Sequence, residues 1–255
     1  MNRPTVGIFG LSGCAGDQLV ILDCEDELLD LVCLLDVRDF LMASSDNDET
    51  CHLDIAFVEG AVLSRRDATR LARIRERCEH LVAIGTCAVW GGVAAMDRDA
   101  DRDQIITTLY GETGRTYDTS PAQALHELVE VDCAISGCPI EKEQFLGAVA
   151  DLLNGNPPLQ PTYPVCTECK MRETACLLLR QGSTCLGPIT LGGCDARCPV
   201  LGIPCVGCRG PVDDANTRAA LAMFRELGVP AEAVARKLRT FAPVAIVAAP
   251  HGGDR

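Results

Sequence analysis

The sequence predicts an α/β chain in which a parallel sheet flanked by helices is followed by a smaller cysteine-rich unit and a helical tail. Three observations carry this. Short apolar runs alternate with amphipathic stretches as far as Gly155. Composition changes after Asn156-Pro157-Pro158, and eight of the 16 cysteines fall between Cys166 and Cys208.

TVGIFG, from Thr5, reads as the first strand, and DQLVILDCEDELLDLVCLL as one amphipathic helix with Leu, Ile and Val at three-to-four spacing. VRDFLMA and LDIAFVEGAV are the second and third strands. Ser64 caps a charged surface helix that runs to Arg77. LVAIGTCAV is a fourth strand ending in a turn, and VEVDCAISGCP a fifth. Between them, the polar stretch from Ala94 to Pro121 reads as a loop with a short helix around Ile105 to Tyr110. EKEQFLGAVADLLNG closes this unit as a helix stopped by Asn-Gly and then Pro-Pro. The linker divides the chain into residues 1–158 and 159–255. From Cys166 to Cys208 glycine is frequent and periodicity weak, so this segment needs bound metal to hold its shape. Helical patterns return over Asn216 to Leu227 and Ala231 to Leu238.

Composition narrows the function classes. The formal charge is −13, from 23 Lys and Arg against 36 Asp and Glu, which disfavours a nucleic-acid or acidic-membrane partner. No apolar stretch is long enough to span a bilayer. The opening MNRPTVGIFG lacks an apolar export core and a twin-arginine signal, so a soluble, cytoplasmic protein is expected. In that compartment thiols stay reduced, and so many of them point to metal ligation rather than disulfides. None of the four histidines (His52, His80, His126, His251) lies among the clustered cysteines, which weighs against mixed Cys/His zinc sites. All-thiolate zinc and iron–sulfur clusters remain.

Two constellations stand out. Cys14 follows the first expected strand, Cys87 ends the fourth and Cys138 the fifth, each in a glycine-rich turn: SGCAGD, GTCAVWGG, SGCP. Ligands in open α/β sheets gather beyond the carboxyl ends of the strands, and glycine lets backbone approach a bulky group. A four-ligand cluster needs one more donor, and Asp17 is the nearest candidate. The second constellation reads Cys166-x2-Cys169-x6-Cys176-x8-Cys185, then Cys194-x3-Cys198-x6-Cys205-x2-Cys208. Eight thiolates suffice for two four-ligand sites, and the two-residue spacings fit zinc and [4Fe–4S] geometry alike. The strand-end trio favours clusters. Of the other cysteines (Cys24, Cys33, Cys51, Cys78, Cys133), Cys24 and Cys33 fall in the apolar pattern of the first helix and read as small buried hydrophobes.

The motifs LSGCAGDQL, LDIAFVEGAV, AIGTCAVWGGV and ISGCPIEKEQFL, with the run from VCTEC to CVGCRG, resemble the small subunits of [NiFe] hydrogenases. The likeness is strongest to the delta subunits of cytosolic NAD(P)-linked enzymes, also called sulfhydrogenases. It covers Thr5 to Pro211 and weakens in the tail. The resemblance implies a flavodoxin-like domain followed by a small iron–sulfur cluster-binding domain. It also implies three ligand sets. Cys14, Cys87 and Cys138 would hold the proximal cluster; Cys166, Cys169, Cys176 and Cys185 the distal one; Cys194, Cys198, Cys205 and Cys208 the medial one. With all eight later thiols present, the last two would both be [4Fe–4S]. The family usually has a second cysteine where this chain has Asp17, so either the Asp17 carboxylate ligates the proximal cluster or that site holds three irons.

The implied role is to relay electrons for H2 ⇌ 2 H+ + 2 e−, with no catalytic residue on this chain. The [NiFe] site would belong to a large subunit, because Cys205 and Cys208 are followed by Arg-Gly-Pro without the histidine of a large-subunit motif. Gly7, Gly10, Gly13 and Gly16 do not spell a dinucleotide fingerprint. NAD(P) and flavin would therefore bind iron–sulfur/flavin diaphorase subunits, in an obligate hetero-oligomer. Three alternatives are weighed against this: a viologen- or heterodisulfide-linked hydrogenase small subunit, a respiratory quinone-reductase small subunit, and a zinc-stabilised interaction module.

Overall fold

A computed structural model describes residues 3–96 and 98–243; the end of the expected second unit, 244–255, lies outside the described residues. The first half is a sheet of five parallel strands: β1 (Thr5–Gly10), β2 (Asp36–Asp39), β3 (Leu53–Glu59), β4 (Cys78–Ile84) and β5 (Cys133–Ile135). Their order is β2-β1-β3-β4-β5, the flavodoxin-like arrangement expected. The order reverses between β1 and β3, which opens a crevice beyond their carboxyl ends.

Both faces of the sheet are covered, which is why β3 and β4 are near-continuous apolar runs rather than alternating ones. On one face Val6, Ile8, Ile55, Phe57, Val82 and Ile84 pack against α1 (Gly16–Leu22), α2 (Glu25–Leu34) and α6 (Lys142–Leu153). Phe57 and Phe145 meet edge to face there, centroids 5.2 Å apart. On the other face Phe9, Ala56, Val58, Leu81 and Ala83 meet α3 (Arg65–Arg77) through Leu71 and Ile74, and α4 (Gly85–Trp90) through Ala88. Ser64 caps α3 as expected, its hydroxyl accepting from the Asp67 amide at 3.0 Å, a bond worth about 1 kcal/mol. The long connection carries α5 (Arg102–Tyr110), which has no buried residue.

Several expected elements are shorter or broken. The single first helix is two, α1 and α2, divided at Asp23 and Cys24. Glu25, Asp26 and Glu27 begin the second piece, where the amino-terminal dipole favours negative charge. β2 stops at Asp39 because the Phe40 amide is taken by Asn47 Oδ1 at 2.7 Å. β4 stops at Ile84, where Gly85 turns with φ of +82°. β5 keeps three residues, since the Asp132 carboxylate before it takes the Leu81 amide at 2.7 Å in place of a ladder partner. Cys24 is fully buried as expected, but Cys33 is exposed on the outer face of α2.

From residue 165 onward the elements are small. They are α7 (Val165–Met171), α8 (Leu177–Gln181), a 3-10 turn (Gly187–Ile189) and α9 (Arg197–Val200), tied by isolated bridges Pro164–Leu191 and Thr190–Pro211. A third core forms around Val165, Leu178, Leu186 and Ile189, and the buried thiols of Cys185 and Cys205 are part of it. The tail helices α10 (Thr217–Glu226) and α11 (Ala231–Phe241) close it with Ala220, Phe224 and Val234. α11 also packs on α4 and on the 3-10 turn Val93–Ala95 of the first half. Among the described residues no helix is long and apolar enough to cross a membrane.

Candidate functional site

The expected strand-end residues gather at the sheet's carboxyl edge. Cys14 lies in the loop after β1, Cys87 within α4, and Cys138 three residues beyond β5. Cys87 is thus in the first turn of a helix rather than on a strand end. The three thiols and Asp17 lie within electrostatic reach of one another: burial first, then the mutual charge of these groups and Glu59, pushes Cys87 and Cys138 up to about 11. Cys14 and Cys138 are nevertheless exposed at the rim. Glycine makes room behind two of the sulfurs. A Cβ on Gly92 would stand 2.5 Å from Cys87 Sγ, and one on Gly16 would stand 3.3 Å from Cys14 Sγ.

Asp17 is 6% exposed. Its Oδ1 accepts the Ile140 amide at 2.8 Å, which ties α1 to the turn after Cys138. Its carboxylate also lies against the bare backbone of Gly85, where a Cβ would overlap Oδ2. Burial pushes Asp17 up to about 7, the Ile140 amide pulls it down, and Glu59 adds to the rise. Glu59, at the end of β3, is 2% exposed and accepts from Gln18 Nε2 at 2.8 Å. Gly85→Ala is therefore expected to displace Asp17 as well as strain a left-handed residue. The backbone cost alone is about 1–2 kcal/mol, and a drop in melting temperature would register it.

The eight later cysteines form two neighbouring groups. Burial, then Cys169, Cys185 and Cys176, raises Cys166 to about 12, so the first four thiols face one another. Gly187 is the floor of this group: a Cβ there would lie 3.3 Å from Cys166 Sγ and 3.6 Å from Cys185 Sγ. In the second group burial raises Cys208, and the neighbouring Cys198 adds to the rise. Burial pushes Cys194 up to about 11, followed by Glu168, whose carboxylate faces the thiol.

The groups adjoin. The Cys205 amide donates to Cys185 Sγ at 3.2 Å, joining the two later groups. Cys138 lies beside Cys208, joining the strand-end group to the nearer of them. Hydroxyls brace that junction, Thr86 donating to the Cys208 carbonyl and Ser136 to the Arg209 carbonyl at 2.7 Å.

Two charged residues of this region escaped the sequence reading. Glu168, buried inside Cys166-x2-Cys169, accepts the Gly193 and Ala196 amides, the latter at 2.9 Å, and so holds the loop that presents Cys194. Arg209 follows Cys208 directly and is 1% exposed. Arg209 stands as a lone charge in a Cys-Gly-rich run, whereas Glu168 is followed by Lys170, Arg172 and Glu173.

The donor set fits iron–sulfur clusters. Cluster ligands are thiolates in sets of four, and here bare glycine backbone faces several of the thiols. Among the described residues no three Cys, His, Asp or Glu side chains converge closely enough to hold a single metal ion.

A family model described as "NADH ubiquinone oxidoreductase, 20 Kd subunit" matches residues 14–152. Sulfhydrogenase 2 subunit delta of Pyrococcus furiosus is 39% identical over 237 residues, covering 93% of this chain and 98% of that one. A subunit of the F420-non-reducing hydrogenase vhu of Methanococcus voltae is 29% identical, covering 92% and 99%. A crystal structure of an NAD+-reducing [NiFe]-hydrogenase in the H2-reduced state contains a chain with a TM-score of 0.55 at 25% identity. That match covers 63% of this chain and 96% of the other. Fold, ligand-type residues and relatives agree, and the chain belongs to the 20 Kd-subunit family, within its branch of [NiFe]- and sulfhydrogenase-type hydrogenase small subunits.

Proposed function

We propose that this chain relays electrons through three iron–sulfur clusters, between the [NiFe] site of a large subunit and an NAD(P)-reducing flavoprotein partner. The observation that carries this reading is contiguity: the strand-end group touches the second thiol group at Cys138 and Cys208, and the second touches the third at Cys205 and Cys185. Three unrelated structural metals would have no need to abut in a line. Bound clusters supply one-electron carriers at these positions. The chain's own residues hold them: Cys14, Cys87, Cys138 and Asp17 the proximal cluster, Cys194, Cys198, Cys205 and Cys208 the medial, and Cys166, Cys169, Cys176 and Cys185 the distal.

The division of labour follows. The sheet, with a boundary at residues 158 and 159, carries the proximal set, and the rest of the chain carries the other two. Cys14, Cys138 and Pro139 are exposed, so the large subunit covers this edge and shields the proximal set from water. NAD(P) linkage draws on the NAD+-reducing relative. The methanogen relative, which matches more of the chain, supports a second reading in which the electrons pass to another acceptor.

Iron, acid-labile sulfide and zinc per chain, measured on anaerobically purified complex and corrected for the partners, test the proposal. About 12 iron and 12 sulfide without zinc are expected for three four-iron clusters. About 11 iron would mean that Asp17 leaves the proximal site with three. About two zinc with little iron would overturn electron transfer altogether.

A further inference from the structure

Arg209 is the largest of the fully buried side chains. Burying a guanidinium is costly unless its charge and its donors are satisfied. Its Nε donates to the Gly192 carbonyl at 2.7 Å and its Nη2 to Gln144 Oε1 at 2.6 Å, both neutral acceptors. Its Nη1 is buried with no hydrogen-bond partner among the described residues. The clamp is tight: a Cβ on Gly193, the residue before Cys194, would lie 2.3 Å from Gln144 Nε2 and 2.9 Å from Arg209 Nη2. Burial lowers the proton affinity of Arg209, and Cys194 and Cys208 are the first groups that restore it. The cation follows Cys208 directly and lies against Gly193, the residue before Cys194, with Glu141 and Glu168 adding carboxylate charge nearby and one N–H still to place.

We propose that Arg209 is a positioning and potential-setting residue of the medial centre, its Nη1–H donating to a sulfur of the body held by Cys194, Cys198, Cys205 and Cys208. This rests on the cluster reading of those four cysteines. Reduction adds one negative charge to the centre, and a fixed buried cation with a directed N–H stabilises that extra charge. The oxidised state gains less. Arg209 therefore biases the middle of the relay towards the reduced form, where an electron arriving from either neighbour can be held.

The test is a redox titration of the intact complex, followed by electron paramagnetic resonance, comparing wild type with Arg209→Met and Arg209→Lys. The medial reduction equilibrium of Arg209→Met is expected to shift about tenfold or more towards the oxidised form, the order of a charge-assisted hydrogen bond. Tenfold corresponds to about 59 mV for one electron. Arg209→Lys keeps the charge but not the fork, so its midpoint should fall between, with the proximal and distal signals moving less.

An unchanged medial midpoint in Arg209→Met, with iron content intact, would overturn the proposal while leaving the cluster reading standing. Zinc in place of iron in the wild type would overturn both. Should Arg209→Met fail to assemble, wild-type complex with 15N-labelled arginine guanidinium decides. A nitrogen coupling to the reduced medial centre supports the contact, and its absence overturns it.

Discussion

Asp17→Ala is expected to remove one iron from the proximal centre, lowering the total by about one per chain and replacing a four-iron signature with a three-iron one. The expectation rests on where this carboxylate is placed. It is 6% exposed, it accepts the Ile140 amide, and the neighbouring acid Glu59 works against its ionisation. A buried carboxylate with such neighbours is costly unless it is protonated or bound to a cation. Iron beside Cys14, Cys87 and Cys138 would supply that cation. A structural role alone would predict otherwise. Asp17→Asn keeps an oxygen for the Ile140 amide but gives iron a poor ligand. Loss of the fourth iron in both variants supports ligation; a four-iron signal in Asp17→Asn, with loss only in Asp17→Ala, would reduce Asp17 to a structural brace. Asp17→Ala also leaves the Ile140 amide unpaired, at a cost of about 1–3 kcal/mol, so protein yield must be measured alongside iron. Asp17→Cys, which restores the ligand type usual in the family, should keep four irons.

How much of this was legible in the sequence depends on what each residue answers to. β1, β3 and β4 are visible because a doubly covered parallel strand needs an apolar centre, here 55–58 in β3 and 81–84 in β4, and α3 because Ser64 and its periodic Leu71 and Ile74 mark its cap and its buried face. The break between α1 and α2 was hidden: the apolar spacing runs on across Asp23 and Cys24, and only the three consecutive acids hint at a new amino terminus. Cys87 looked like a strand end because GTCAVWGG carries glycines suited to a turn, yet Gly85 turns the chain straight into a helix. Cys33 followed the apolar pattern but faces outward, since periodicity identifies a face without saying whether anything covers it. In the second half, spacing reveals eight ligand-type thiols but not that Cys205 would reach Cys185. Arg209 and Glu168 were missed for the same reason. Their meaning lies in burial against thiols distant in sequence, and a charged residue next to a cysteine reads as surface until the fold encloses it.

Removing the clusters by oxidation and chelation is expected to unfold the chain from about residue 165 to 212 while the sheet survives. The helices there have seven, five and four residues, far below the length at which a helix holds itself in water. Their core includes the buried thiols Cys185 and Cys205, with Cys169, Cys176 and Cys194 packed against it. Emptied of metal, those thiols line space instead of filling it, and the Arg209 cation is left buried among neutral thiols. Burial pushes several of these thiols up to about 11 or 12, so they return to the protonated form at neutral pH once the metal has gone. The sheet lacks this dependence, since β1, β3 and β4 are held by two apolar layers. Hydrogen exchange resolved by mass spectrometry should find amides of 165–212 exchanging at least about a hundredfold faster after cluster removal, equivalent to roughly 3 kcal/mol of lost protection. Those of β1, β3 and β4 should change little. Equal loss across both halves would mean that the contacts of α11 with α4 and the hydroxyl braces from Thr86 and Ser136 couple the two into one cooperative unit. Protection kept in both would mean that the third core stands on Val165, Leu178, Leu186, Phe224 and Val234 alone, and that the thiols there are not needed to hold the fold.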